Sequence, residues 1–69
     1  INMKVRFLVD CKILYVDGVE NTKRVCIFRT NQCIQSYFIK TLKNGKCDIY
    51  IDSFSKYLLP HHNMVEIHK

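Results

Sequence analysis

The sequence predicts a small α+β domain: a mixed sheet of about four strands with two short helices on one face. Three observations point there. Met3, Val5, Phe7 and Val9 alternate with Lys4, Arg6 and Asp10, the period-two pattern of a half-buried strand. Asn44-Gly45 separates two runs, 37–42 and 47–52, whose β-branched and aromatic residues suit extended backbone. Ser53 is a fair helix N-cap, and Phe54, Tyr57 and Leu58 follow at i, i+3 and i+4 before Pro60, the pattern of a helix of under two turns that proline stops.

The chain has 69 residues, enough for one domain with a small core, since chains below roughly 70 to 80 residues bury little apolar surface. Hydrophobic residues make up 48% and charged residues 25%, proportions of a globular domain and not of a disordered one. The formal net charge is +5, a balance that suits a nucleic-acid or other anionic partner. No apolar run approaches the ~18 to 20 residues of a membrane span, and residues 3–9 interleave charge where a signal peptide needs a continuous apolar stretch. These patterns predict a cytoplasmic protein with no membrane partner.

Cys11, Cys26, Cys33 and Cys47 contain no Cys-x-x-Cys pair, and Cys26 and Cys33 stand seven apart. His61, His62 and His68 add possible ligands but no zinc spacing. Reduced, mostly buried thiols are expected, with no metal and no cofactor. Gly18 and Gly45 are too far apart for a phosphate loop, and there is neither a His-x-x-x-His pair nor a nucleophile elbow; no enzyme activity and no small-molecule substrate are predicted.

Taken in order after the first strand, residues 11–16 are apolar without clear period and suit a second strand or a packed loop, ended by an Asp17-Gly18 turn. Residues 20–34 are divided. Asn21 or Thr22 suits an N-cap with Val25 and Phe28 one turn apart, whereas Arg24-Val25-Cys26-Ile27-Phe28-Arg29 is a block that propensity assigns to a short buried strand. At Asn44-Gly45 a two-residue type I′ hairpin is predicted. Leu42 then faces Cys47, Thr41 faces Asp48, Ile39 faces Tyr50 and Phe38 faces Ile51. One face carries Phe38, Leu42, Cys47, Ile49 and Ile51 as core, with Lys40 out of place among them. Lys43 and Lys46 flank the tip, where two ammonium groups suit phosphate contact. Residues 64–68 alternate again as a closing strand.

Phe7-Leu8-Val9-Asp10-Cys11, followed after five residues by Asp17-Gly18-Val19, resembles the e-type ribosomal protein twenty-two family of the eukaryotic large subunit, which carries Phe-x-Leu-Asp-Cys and Asp-Gly-Ile at that spacing. Residues 47–58 are similar to the family's strand that enters Phe-Ser-Lys-Arg-Tyr-Leu at its second helix, with one basic residue missing after Lys56. Leu14 stands where a proline is usual and Pro60 shortens the second helix, so the resemblance is to a strongly shortened member. It implies a helix over residues 22–31, a β-α-β-β-α-β layer docked on ribosomal RNA beside neighbouring ribosomal proteins, and an RNA-facing role for Lys56. Tyr50 and Tyr57 are candidate base-stacking residues, although packing is the commoner use of such aromatics. The alternative is a protein-interaction module: Leu42-Lys43-Asn44-Gly45-Lys46 and Leu58-Leu59-Pro60 also look like the central strands of a polo box, and a small SH3-like barrel has similar strands.

Overall fold

The computed structural model describes residues 2–69. Eight strands follow one another: β1 (Met3–Phe7), β2 (Cys11–Asp17), β3 (Thr22–Phe28), β4 (Cys33–Ser36), β5 (Phe38–Thr41), β6 (Cys47–Tyr50), β7 (Ser55–Leu59) and β8 (Val65–His68), with a 3-10 turn (His62–Met64) before the last. They form two antiparallel sheets, one in the order β4-β1-β8 and one in the order β3-β2-β7-β6-β5. Among the described residues there is no α-helix. The fold is all-β, and the expected α+β layer with two helices is overturned.

The sheets meet at corners of the chain. β4 passes into β5 across Tyr37 alone, whose N–H donates to the Tyr50 carbonyl at 2.8 Å. The buried Ser36 hydroxyl lies 3.2 Å from the Phe38 carbonyl and 3.1 Å from that of Tyr50, so the bend leaves no buried polar group stranded. Between β1 and β2 the Phe7 N–H donates to the Gln32 carbonyl at 2.9 Å, Asn31 N–H donates back to Phe7 at 2.7 Å, and Leu8 N–H donates to Met64 at 2.9 Å. Strands that change sheet at bends are how small sandwiches and barrels turn corners.

Both expected helices are strands, for local reasons. Asn21, a candidate N-cap, has φ 58° in the turn between β2 and β3, a left-handed conformation that asparagine tolerates. The Asp17 carboxylate accepts from the N–H groups of Val19 and Glu20, which gives the turn its own cap. β3 then pairs with β2 without interruption from Asp17↔Thr22 to Cys11↔Phe28, and the β-propensity of Val25-Cys26-Ile27-Phe28 prevails. In the second case Asp52, not Ser53, is the capping side chain. Its carboxylate accepts from Phe54 and Ser55 N–H, each at 2.8 Å, and Ile51 N–H reaches the Ser55 carbonyl at 3.0 Å, closing a turn that launches β7. Three apolar residues at helical spacing are too few to separate the two periods. Gly18 N–H donates to the Phe54 carbonyl, and a Cβ at Gly18 would stand 2.3 Å from that oxygen, so the two turns touch only because Gly18 has no side chain.

The Asn44-Gly45 hairpin is present, but in a different register from the one expected. Leu42 N–H donates to the Lys46 carbonyl, Gly45 N–H donates to the Leu42 carbonyl, and Gly45 has φ 82°. This is a three-residue loop with a left-handed glycine and a bulge, in place of the two-residue type I′ turn. The pairs are Phe38↔Tyr50, Ile39↔Ile49, Lys40↔Asp48 and Thr41↔Cys47. A slip of one residue reverses which face a strand presents. Ile39 therefore packs against the core with Ile49 and Cys47, while Phe38 and Lys40 face outward. The expected core face holding Phe38, with Lys40 misplaced in it, is corrected, and Lys40 is in solvent. Ile51 is likewise exposed and outside the core.

The expected first strand, closing strand and Asp17-Gly18 turn are present and residues 11–16 are a strand, but β1 stops at Phe7, which leaves Val9 exposed, and Met64 belongs to the 3-10 turn before β8. Cys11 and Cys47 are buried, Cys26 is half-buried and Cys33 is exposed. The core is Val5, Phe7, Cys11, Ile13, Phe28, Cys47, Ile49, Leu59 and Val65. Phe7 and Phe28 stack with ring centroids 4.3 Å apart and planes within 5°; Phe28 meets Tyr57 edge-on at 5.1 Å, and Tyr57 tilts against Tyr15 at 5.1 Å. A 69-residue domain has a total stability of about 3 to 10 kcal/mol, and truncating a buried phenylalanine costs about 3 to 5 kcal/mol. Phe7→Ala should therefore leave the chain largely unfolded at 25 °C, whereas Ile27→Ala, on the exposed face of β3, should change stability by no more than about 0.5 kcal/mol. Urea titration followed by far-UV circular dichroism distinguishes the two.

Candidate nucleic-acid interface

Alternation along the five-stranded sheet divides its side chains between the core and an outer face. The registers place Lys23, Val25 and Ile27 of β3, Lys12, Leu14 and Val16 of β2, Lys56 and Leu58 of β7, Asp48 and Tyr50 of β6, and Phe38 and Lys40 of β5 together on the outer face. Four are lysines and Asp48 is the one acid among the described residues of these outward strand positions. The face is thus cationic, with apolar and aromatic side chains between the charges, and a surface of one sign raises the local concentration of an oppositely charged partner.

At the β5–β6 end of this face two aromatic rings lie side by side. Phe38, half exposed at 50%, tilts against Tyr50 at 5.9 Å between centroids. The Lys56 ammonium stands 5.3 Å from the centre of the Tyr50 ring, 3.3 Å from its hydroxyl and 3.3 Å from the Asp48 carboxylate. The Tyr50 hydrogen bond, together with Asp48, holds the Lys56 amine above the ordinary lysine range, although burial pulls the other way. Asp48 is buried, so this pair meets a lower effective dielectric than a surface ion pair does. Its geometric effect is to fix the Tyr50 ring beside Phe38. Tyr37, at the sheet-changing corner next to Phe38, is also about half exposed. With Met3, Phe38, Ile39 and Lys69 it lines an open groove of about 610 Å³.

The structure gives the three nominated lysines unequal positions. Lys43 and Lys46 are exposed on either side of Asn44-Gly45 and have no ion pair among the described residues. The turn is held from below: His62 N–H donates to the Gly45 carbonyl at 2.7 Å, His62 Nδ1 lies 2.9 Å from the same oxygen, and His61 stacks on His62. Lys46 shares a shallow depression with Leu42, Asp48, Leu58, Leu59 and Pro60, and Asp48 binds Lys56, so Lys46 and Lys56 border one surface. Lys56 lies on a strand and is tethered to Asp48 and Tyr50; the helical, RNA-facing setting implied by the resemblance is absent. Tyr57 points into the core side, where burial raises its phenol pKa.

Sequence reasoning missed Lys40 and Phe38 as surface residues. The available signal was the lysine itself: a register that puts Lys40 among core residues is improbable when a one-residue shift frees it.

The Lys56 contacts give an alkaline signature. A lysine whose folded pKa exceeds its unfolded value contributes stability that is complete below the unfolded pKa, 10.5, and is lost as pH rises through the folded pKa. Lys56→Met removes that contribution, so the gap in urea midpoint between wild type and variant should be constant from pH 7 to 9 and shrink above about pH 10.5. Paired urea titrations across that range measure it.

Against models of known protein families, curated proteins and solved structures, the chain shows no match.

Proposed function

We propose that this domain binds single-stranded RNA, laying it across the outer face of β5, β6 and β7. The observation that carries the reading is the half-exposed Phe38 ring beside Tyr50, flanked by Lys40 and Lys56 on a face where the one acid is already paired. Sequence-tolerant binding of single strands combines a stacking ring for bases with cations along the backbone path. Lys40 supplies a cation next to the rings, and Lys43 and Lys46 extend the positive surface past the hairpin tip. Tyr37 and Lys69 continue the aromatic and cationic character around the corner. Asp52, close in sequence to Tyr50, is occupied by its own turn.

The ribosomal resemblance adds little to this reading, because the two segments it assigns to helices are β3 and β7. What supports RNA binding is the surface. A small all-β scaffold carries many unrelated functions and so does not itself select a ligand.

Fluorescence anisotropy with a labelled single-stranded uridine octamer tests the proposal. Losing a base–aromatic stack costs about 1 to 3 kcal/mol, so Phe38→Ala should weaken binding by roughly 5- to 150-fold while the chain stays folded. Replacing Lys40, Lys43 and Lys46 by Gln together should make the plot of log affinity against log salt shallower by about 2, at roughly 0.7 per contact for a single strand. Absence of binding at low salt, or binding that both variants leave unchanged, would overturn the reading.

A further inference from the structure

We infer that the free edge of β3 accepts an acidic, extended peptide segment as an added strand, independently of RNA. β3 is the outermost strand of the five-stranded sheet. It is seven residues long, regularly paired with β2 along its whole length, and contains no proline, glycine or bulge. Native proteins usually blunt such an edge by shortening, bulging or covering it. The other outer strands here, β4, β5 and β8, have four residues each; β3 has none of those protections over Val25-Cys26-Ile27. Val25 and Ile27 are more than half exposed there, side by side on the outward face at i and i+2.

The charge around this edge selects the occupant. Lys23 and Arg24 stand at its start, Arg24 over the Tyr15 ring at 4.9 Å, and Lys12 lies across from Ile27 on β2. Of the nearby acids, Asp10 accepts from the Thr30 N–H and hydroxyl and pairs with Arg29, Asp17 caps its turn, and Glu20 is exposed in the turn before the strand. A strand with Asp or Glu beside Lys23 on the outer face and beside Arg24 on the other, and β-branched residues beside Val25 and Ile27, matches both charge and apolar pattern. RNA has the charge but lacks the backbone amide ladder that the open edge offers. In strand addition that ladder supplies affinity, and alternate side chains supply selectivity.

The test uses isotope-labelled full chain and three synthetic peptides, monitored by amide chemical shifts. The first is Asp-Glu-Val-Thr-Ile-Glu-Asp, which sets Asp, Val, Ile and Asp on the face of Lys23, Val25 and Ile27 and Glu on the face of Arg24. The second has the same sequence, N-methylated at alternate residues so that it cannot complete a ladder. The third carries Lys in place of every acid. The acidic peptide should shift the amides of residues 22–28 and slow their exchange with solvent; the N-methylated and basic peptides should bind at least tenfold more weakly. Val25→Ser with Ile27→Ser, which leaves the charge of the face as it is, should weaken the acidic peptide at least tenfold and leave Phe38-dependent RNA binding unchanged. The N-methylated control keeps the test valid if that double variant unfolds. No binding of the acidic peptide at millimolar concentration, equal binding of its N-methylated form, or shifts confined to Phe38 and Tyr50 would overturn the inference. So would a β3-mediated dimer of the chain, seen by sedimentation, that excludes the peptide.

Discussion

The parallel stack of Phe7 on Phe28 is the contact on which the rest of this domain depends. Phe7 ends β1 in the three-stranded sheet and Phe28 ends β3 in the five-stranded sheet, so this pair of rings couples the two layers at the centre of the core they share. The same corner carries the hydrogen bonds from Phe7 to Gln32 and Asn31 and from Leu8 to Met64. Only nine apolar residues are buried among those described, and in so small a core two aromatic rings represent a large share of the buried surface. Phe28 passes that order outward to Tyr57 and Tyr15, and Arg24 closes the series at the rim.

A second constraint is register, and it links the fold to the proposed chemistry. The loop after β5 has three residues because Gly45 takes the left-handed conformation and forms a bulge. A Cβ at Gly45 would stand 2.7 Å from the His61 ring nitrogen, so any other residue there would push the histidine ring aside as well as strain the left-handed backbone. The extra residue shifts β5 by one position against β6, which sends Ile39 to the core and Phe38 and Lys40 to the surface. An aromatic platform with adjacent cations thus arises from a turn geometry and not from a local motif.

How much of this was legible in the sequence follows from the range of each interaction. β1 and β8 were readable because alternation is local, and the hairpin at Asn44-Gly45 was readable because its turn residues have few other uses. Its register was not: loops of two and three residues both use glycine there, and only packing of Ile39 beside Ile49 against the core decides between them. Residues 22–31 were readable from propensity, which favoured a strand, and became a helix only through a resemblance whose motifs lay elsewhere in the chain. β7 was hidden because Asp52 and Ser53 both suit a cap, and the choice rests on Phe54 meeting Gly18, a contact 36 positions away in sequence. For the site, Lys43 and Lys46 were legible from the turn, and Lys56 was named without its partners, since its pairing with Asp48 requires β6 and β7 to be neighbours.

The Asp48–Lys56–Tyr50 group shows why stability alone does not account for this face. A buried ion pair gains little over apolar side chains of similar size, because removing both charges from water offsets most of their attraction. Leucine and valine already neighbour it on the same face, at Leu58, Leu14 and Val16, so an apolar replacement has ready packing partners. What the ion pair does that leucine does not is hold a hydroxyl and a ring in one orientation: Lys56 touches Tyr50 at the hydroxyl and over the ring, and Asp48 fixes Lys56. The same pairing neutralises the carboxylate that would otherwise repel a phosphate. Both effects act on the surface beside Phe38, and a polyanion with planar bases is the partner that benefits from both at once.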